Sequence, residues 1–376
     1  MHRVDINTYM KSMDMVTTKP KMLLRLNVLL LTLLFTVSII YFPSLHQQQY
    51  NQSIVSAQQQ ADNETTPLMS NASNITTTAG SIPENARGPT IPQDKGYLVQ
   101  ELGNNLYFLT NGAYNTMFMV TDEGVIAVDA PPAIGDNYLK AIAEVTDKPV
   151  KYVVYSHSHA DHIGAANIFP DNATYIAHAD TAAQLRIAND SNRPVPTITF
   201  TDNYELNSGN QSLSLDYYGS NHEAGNVFIY APAQKTLMLV DIVYPGWIVF
   251  DGLAGSENVT GFIRAHDIAL NNYDFDKFVG GHVTRLGTPQ DIITQKEFVS
   301  DLKAAAQTGL KNVNFSSVAQ EVGGFSNPWL VTKTYFDTIT GQCTDIMKDK
   351  WESRLGGVNV FLADNCNAMT RSLRVD

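Results

Sequence analysis

The segment Ser156-His157-Ser158-His159-Ala160-Asp161-His162 places three histidines and an aspartate within six residues, directly after the apolar run Val153-Val154-Tyr155. Crowded imidazoles and carboxylates are costly unless something binds them. The string therefore dictates its surroundings: a buried strand, a turn at the carboxyl end of that strand, and a metal. If residues 151–155 form the strand, the turn leaves the sheet at the edge where open sheets place ligands. His157 and His159 are two apart, so extended backbone projects both to one side and lets them grip one ion. Asp161 and His162 follow on a turn into a helix expected over 163–169, and could face a second ion. Imidazole suits zinc, iron, nickel or copper, and a carboxylate adds charge and helps hold a nucleophilic water.

Three further strings follow in order. Gly219-Ser220-Asn221-His222-Glu223-Ala224-Gly225-Asn226 precedes the apolar run 227–230, Leu237-Met238-Leu239-Val240-Asp241 ends a strand-like run on an aspartate, and Val279-Gly280-Gly281-His282 ends another on a glycine turn. Together with the first string they resemble the metallo-β-lactamase superfamily, and the resemblance spans residues 97–290. It implies an αββα sandwich of two mixed β-sheets flanked by helices. Position by position it also implies His157, His159 and His222 at a first metal, Asp161, His162 and His282 at a second, and Asp241 bridging them. The implied cofactor is a pair of divalent ions, zinc first, with iron or manganese as alternatives. His2, His46, His178 and His266 match no ligand position and read as structural or solvent-facing.

Two such ions about 3.5–4 Å apart share a hydroxide, because metal binding brings the pKa of water towards about 7. The implied chemistry is metal-assisted hydrolysis, with Asp161 also orienting the hydroxide or shuttling a proton. In the β-lactam-cleaving branches the position of Asp241 is generally cysteine or serine. An aspartate there resembles the glyoxalase II, lactonase and phosphodiesterase branches, and Asp241-x-x-Tyr244 resembles lactonases in which the tyrosine hydroxyl bonds the substrate carbonyl. Tyr244 is thus the second catalytic candidate. The loop 244–250, with Trp247 and Phe250, would form an apolar wall for a substrate's acyl or ring portion, or simply belong to the core. The expectation is a hydrolase of a small ester, lactone, thioester or amide. Alternatives are a mononuclear iron sulfur dioxygenase-like oxidoreductase, a β-lactamase, or a metal-bearing surface domain without turnover. A formal net charge of −12 disfavours a nucleic-acid partner.

The first 95 residues read differently. Residues 22–42 form an almost continuous apolar run of spanning length. Arg3, Lys11, Lys19, Lys21 and Arg25 precede or open it, and no Lys or Arg follows until Arg87. The expectation is a cytoplasmic segment over 1–21, a single-pass anchor over 22–42, and an enzyme domain outside the membrane. A signal sequence is the alternative, with secretion if cleaved. Residues 43–95, rich in Gln, Asn, Ser and Thr, read as a disordered polar tether. Strand-like runs begin at 97–102, 106–109, 115–121 and 125–129, with a helix expected over 135–146, and the catalytic domain is drawn over 96–290. Beyond it, 291–376 read as a helical extension, with helices over 289–307 and 328–351. Its two cysteines, Cys343 and Cys366, are the only ones in the chain. Outside the cell such a pair forms a disulfide, and inside it would be two free thiols.

Overall fold

The computed structural model describes residues 82–283 and 285–375. The span expected over 22–42 lies outside the described residues, and no helix among the described ones is long and apolar enough to cross a membrane.

Apolar residues alternate along the strands because successive side chains point to opposite faces, and this alternation divides the core into layers. One sheet runs in chain order: β1 (Leu98–Gly103), β2 (Leu106–Thr110), β3 (Asn115–Val120), β4 (Val125–Val128), β5 (Val150–Val154), β6 (Thr174–His178) and β7 (Ile198–Phe200). Its first four strands pair antiparallel and β4 to β7 pair parallel. The second sheet has β8 (Asn203–Ser208), β9 (Gln211–Asp216), β10 (Phe228–Ala231), β11 (Thr236–Met238) and β12 (Lys277–Val279) in the order β12-β11-β10-β9-β8. Only β11 and β12 are parallel in it. Both sheets are mixed, as expected.

Phe108, Met117, Met119, Ile126 and Val128 of the first sheet meet Leu213, Leu215, Ile229, Met238 and Val279 of the second in the layer between them. The neighbouring residues Phe118, Val125 and Ala127 face the other way, onto α1 (Asn137–Ala143) and the segment 163–185. On the second sheet Phe228, Leu237 and Phe278 likewise point outward. They are covered by α4 (Val259–Asn272), α5 (Pro289–Asn312), α7 (Pro328–Trp351) and α8 (Val358–Val375); the numbering leaves α2 and α3 for Ala160–Ile163 and Ala179–Ala188, and α6 for Phe315–Glu321. The C-terminal extension is therefore one half of a core. Phe298, Leu302 and Trp351, all fully buried there, each contribute about 1.5–3 kcal/mol by leaving water.

Local signals explain the helix ends. Thr288 and Asp291 form a capping box ahead of α5, with Pro289 in its first turn. Asn327 caps α7 through Leu330 N–H, at 3.1 Å. A disulfide joins Cys343 of α7 to Cys366 of α8. The helix expected over 163–169 is shorter and earlier: one α-turn, α2, followed by a 3₁₀ turn at Ala166–Ile168. Pro170 forces Phe169 into extended backbone (ψ 157°) and stops the helix there. Of the disordered tether expected over 43–95, residues 43–81 lie outside the described residues, and the described part is held by the domain. Asn85 Nδ2 donates to Arg354 O, and Ala86 O accepts from the Trp247 indole at 2.9 Å. Composition registers few apolar side chains there but not these polar anchors.

Candidate metal centre

The site gathers at the carboxyl ends of the strands, as open sheets favour. β5 leads into His157, His159 and α2, which carries Asp161 and His162; the turn before β10 supplies His222, and the chain beyond β11 and β12 supplies Asp241 and His282. All seven expected ligands come together. Among the described residues the donor atoms of His157, His159, His222 and Asp241 form one group and those of Asp161, His162 and His282 another, each group within 4.8 Å.

Asp241 touches both. Its Oδ2 lies 3.3 Å from His222 Nε2, 3.6 Å from His157 Nε2 and 3.1 Å from His162 Nε2, while Oδ1 lies 3.2 Å from His282 Nε2. His159 Nδ1 is 3.0 Å from His222 Nε2, and His162 Nε2 is 3.1 Å from His282 Nε2. Tetrahedral coordination at 2.0–2.1 Å would set neighbouring donors about 3.3–3.4 Å apart, so these separations fit a shared ion. His157 gives a second indication. Its Nδ1 pairs with Ser156 Oγ at 2.9 Å, while its fully buried Nε2 has no hydrogen-bond partner. A buried nitrogen without a partner is expensive, and a metal would satisfy it. The residues present therefore fit the ions that the donor set implies.

Local backbone makes the convergence achievable. Asp241 adopts φ 60°, a left-handed conformation unusual for a residue with a side chain. Gly281 is required for contact: a Cβ there would lie 2.7 Å from His162 Cε1 and 2.5 Å from Val240 Cγ1. Asn115 at the start of β3 donates through Nδ2 to the carbonyls of His282 and Val283, which pins the last ligand's loop.

Charge divides the ligands. Burial pushes His157 well below the usual imidazole range and His222 down to about 4, leaving both neutral and ready to bind. Burial pushes His162 down as well, but the Asp241 and Asp161 carboxylates outweigh it and raise the ring to about 9. For Asp241, burial pulls upward and is outweighed by His162, His282 and His222, so its carboxyl stays well below the ordinary range.

Tyr244 stands beside this group, with its ring 6.0 Å from that of His282. Burial first, then the Asp241 and Asp161 charges, hold its hydroxyl in the protonated form. Trp247 and Phe250 line a cavity next to it. His178 caps α3 through Asp180 N–H and His266 is buried in the core, both structural; His2 and His46 lie outside the described residues.

Four supporting residues escaped the sequence reading. Asp129 accepts from Ser156 N at 2.7 Å and fixes the turn into the histidine string; burial raises its carboxyl to about 6. Glu223, buried, accepts from Ser158 N at 2.9 Å and lies 3.7 Å from His159 Nε2. Both stand beside readable motifs, at the end of an apolar run and next to His222. Tyr114, with its hydroxyl 3.4 Å from Asp161 Oδ2 and its ring 4.6 Å from that of His282, carries no sequence signal. Neither does Gln295, which holds Tyr244 N–H at 2.9 Å.

Two mixed sheets lie between helices, with a dense His/Asp cluster that could hold metal at one edge. A sequence profile described as the metallo-beta-lactamase superfamily matches residues 109–282, and that part of the chain belongs to the superfamily. It is 30% identical over 205 residues to the 2,4-dinitroanisole O-demethylase subunit alpha of Nocardioides sp. (strain JS1661), a match covering 53% of this chain and 59% of that one. It is 27% identical over 209 residues to a metallo-beta-lactamase type 2 of Elizabethkingia meningoseptica, covering 53% of this chain and 82% of that one. Among solved structures, a metallo-beta-lactamase from Pontibacter korlensis is similar at 19% identity and a TM-score of 0.47, over 54% of this chain and 97% of that one.

Proposed function

We propose that this chain is a dinuclear metal-dependent hydrolase of a small ester, lactone, thioester or amide. His157, His159 and His222 would hold one ion, Asp161, His162 and His282 the other, and Asp241 both. The observation that carries the reading is the contact of two donor groups through one buried carboxylate, Asp241. When bound, such ions supply Lewis acidity toward a carbonyl oxygen and make water acidic enough to act at neutral pH.

The chain's own residues do the rest. Asp161, with its side chain 46% exposed, is the ligand carboxylate open to solvent. It takes the proton that an attacking water gives up and returns it to the leaving oxygen or nitrogen. Tyr244 and Tyr114 flank His282 as neutral hydroxyls, raised above the ordinary range by burial, and donate hydrogen bonds to the substrate's carbonyl oxygen. An aspartate at position 241 favours lactone and ester chemistry over β-lactams.

The same reading tethers the domain outside a membrane through residues 22–42. The charge asymmetry around that run supports this, as does the Cys343–Cys366 disulfide, since disulfides persist in oxidising compartments. The test is hydrolysis by the purified full chain across chromogenic esters, lactones, thioesters and β-lactams. Ester or lactone turnover that chelation abolishes and His159→Ala lowers at least about a hundredfold is expected. No turnover by protein carrying two ions, or β-lactams as the preferred substrates, would overturn the reading.

A further inference from the structure

A cavity of about 250 Å³ adjoins the metal centre. One wall belongs to the loop after Asp241: the rings of Tyr244 and Phe250 lie 6.0 and 6.4 Å from His282, both nearly parallel to it. The facing wall comes from Gly356, Val360 and Phe361, well beyond the family match that ends at residue 282. The C-terminal extension thus builds half of a space whose other half carries one catalytic candidate, Tyr244.

The wall is fixed in place. Ile248 N donates to Gly356 O at 3.0 Å, and Gly356 N donates to Gly246 O at 2.9 Å. A Cβ on Gly356 would stand 2.7 Å from Trp247 Cε3, so glycine is needed for the wall to close on the indole. Asn365 of α8 accepts from Leu253 N and donates to Val249 O, both at 2.7 Å. Phe361 packs edge-on against Phe250, with centroids 4.8 Å apart.

What faces inward is apolar. Among the described residues no charged one lines the cavity, and the Trp247 indole N–H is already taken by Ala86 O at 2.9 Å. An ionised group entering would lose its hydration and find no partner. By comparison, an apolar cavity of about 150 Å³ accommodates benzene, so this one has room for a substituted ring or a chain of roughly six carbons.

We propose that this cavity is the subsite for an uncharged apolar group of the substrate, a single aryl ring or a medium alkyl chain. In it, Val360 and Phe361 of the extension, with Phe250, determine which substrates are accepted. The reaction rests on the hydrolase reading above, whereas the binding of an apolar group does not.

The experiment uses the full chain and p-nitrophenyl esters from acetate to dodecanoate. kcat/KM is expected to rise about fourfold per methylene while the cavity fills, then level off. Val360→Trp, at a position 57% exposed and so tolerant of bulk, should lower the octanoate-to-acetate ratio of kcat/KM at least tenfold. Phe361→Ala should move the optimum to longer chains. A flat series, or a ratio unchanged in both variants, overturns the proposal. Binding of uncharged 4-ethylphenol, followed by calorimetry, separates the two failures. Ethylphenol bound by the parent chain and lost in Val360→Trp upholds the subsite even if no ester is cleaved, which would sink only the hydrolase reading; no ethylphenol binding overturns the subsite.

Discussion

Replacing Gln295 by leucine tests how the Asp241 loop is held. Gln295 is buried in α5, its Oε1 accepts from Tyr244 N at 2.9 Å, and its Nε2 donates to Ile242 O. Behind it, His266 Nε2 lies 3.3 Å from Gln295 Nε2 while Nδ1 faces Phe262 O at 3.1 Å. Burial pulls His266 down to about 4, so its ring is neutral at pH 7 and can accept from the amide. Leucine fills similar volume but leaves a buried N–H and a buried C=O without partners. Each costs about 1–3 kcal/mol, so unfolding free energy should fall by about 2–6 kcal/mol, or roughly 4–12 °C in Tm. The loss also frees residues 242–244 next to Asp241, whose φ of 60° persists only while its surroundings enforce it. Metal affinity should therefore weaken by about 10- to 100-fold. Urea unfolding followed by circular dichroism, paired with chelator competition, measures both. A stability loss under about 0.5 kcal/mol with unchanged metal affinity would refute the reasoning.

Two further outcomes are expected. Cys343→Ser with Cys366→Ser should cost about 3 kcal/mol, because the bridge closes a loop with a sequence separation of 23; equal denaturation midpoints with and without reductant would contradict this. His162, raised to about 9 by Asp241 and Asp161 against burial, holds a proton in the metal-free protein at neutral pH, and metal binding must expel it. Calorimetry in buffers of different ionisation enthalpy should show about one proton released from this group near pH 7, fading as pH passes about 9. In metal-free protein the same shift contributes stability that is full below about pH 6.5 and lost as pH rises through about 9. Binding heats that do not depend on the buffer would contradict the assignment.

The candidate ligands were legible as a cluster because metal chemistry demands particular residue types at strand ends, and short spacing exposes them: His157 and His159 flag themselves, and Gly281 marks the close approach to His162. Strand starts were legible within a residue or so, since alternation of apolar side chains is a local signal. What was not legible is held by partners distant in sequence. Gln295 reaches Tyr244 across 51 positions, and Tyr114 meets Asp161 across 47; nothing in their neighbours distinguishes them from ordinary surface glutamine or tyrosine. The extension was readable as helices, and α7 falls where Pro328 opens it. Its role in walling a cavity was not readable, because that depends on Gly356 meeting Trp247, a contact between segments about a hundred residues apart.

The central claim is that these residues hold two divalent ions with Asp241 between them. Metal content of the purified full chain, measured by mass spectrometry beside Asp241→Ala, tests it most directly. Two ions per parent chain and one or fewer in the folded variant are expected; a single iron per parent chain, or two ions retained without Asp241, would contradict it.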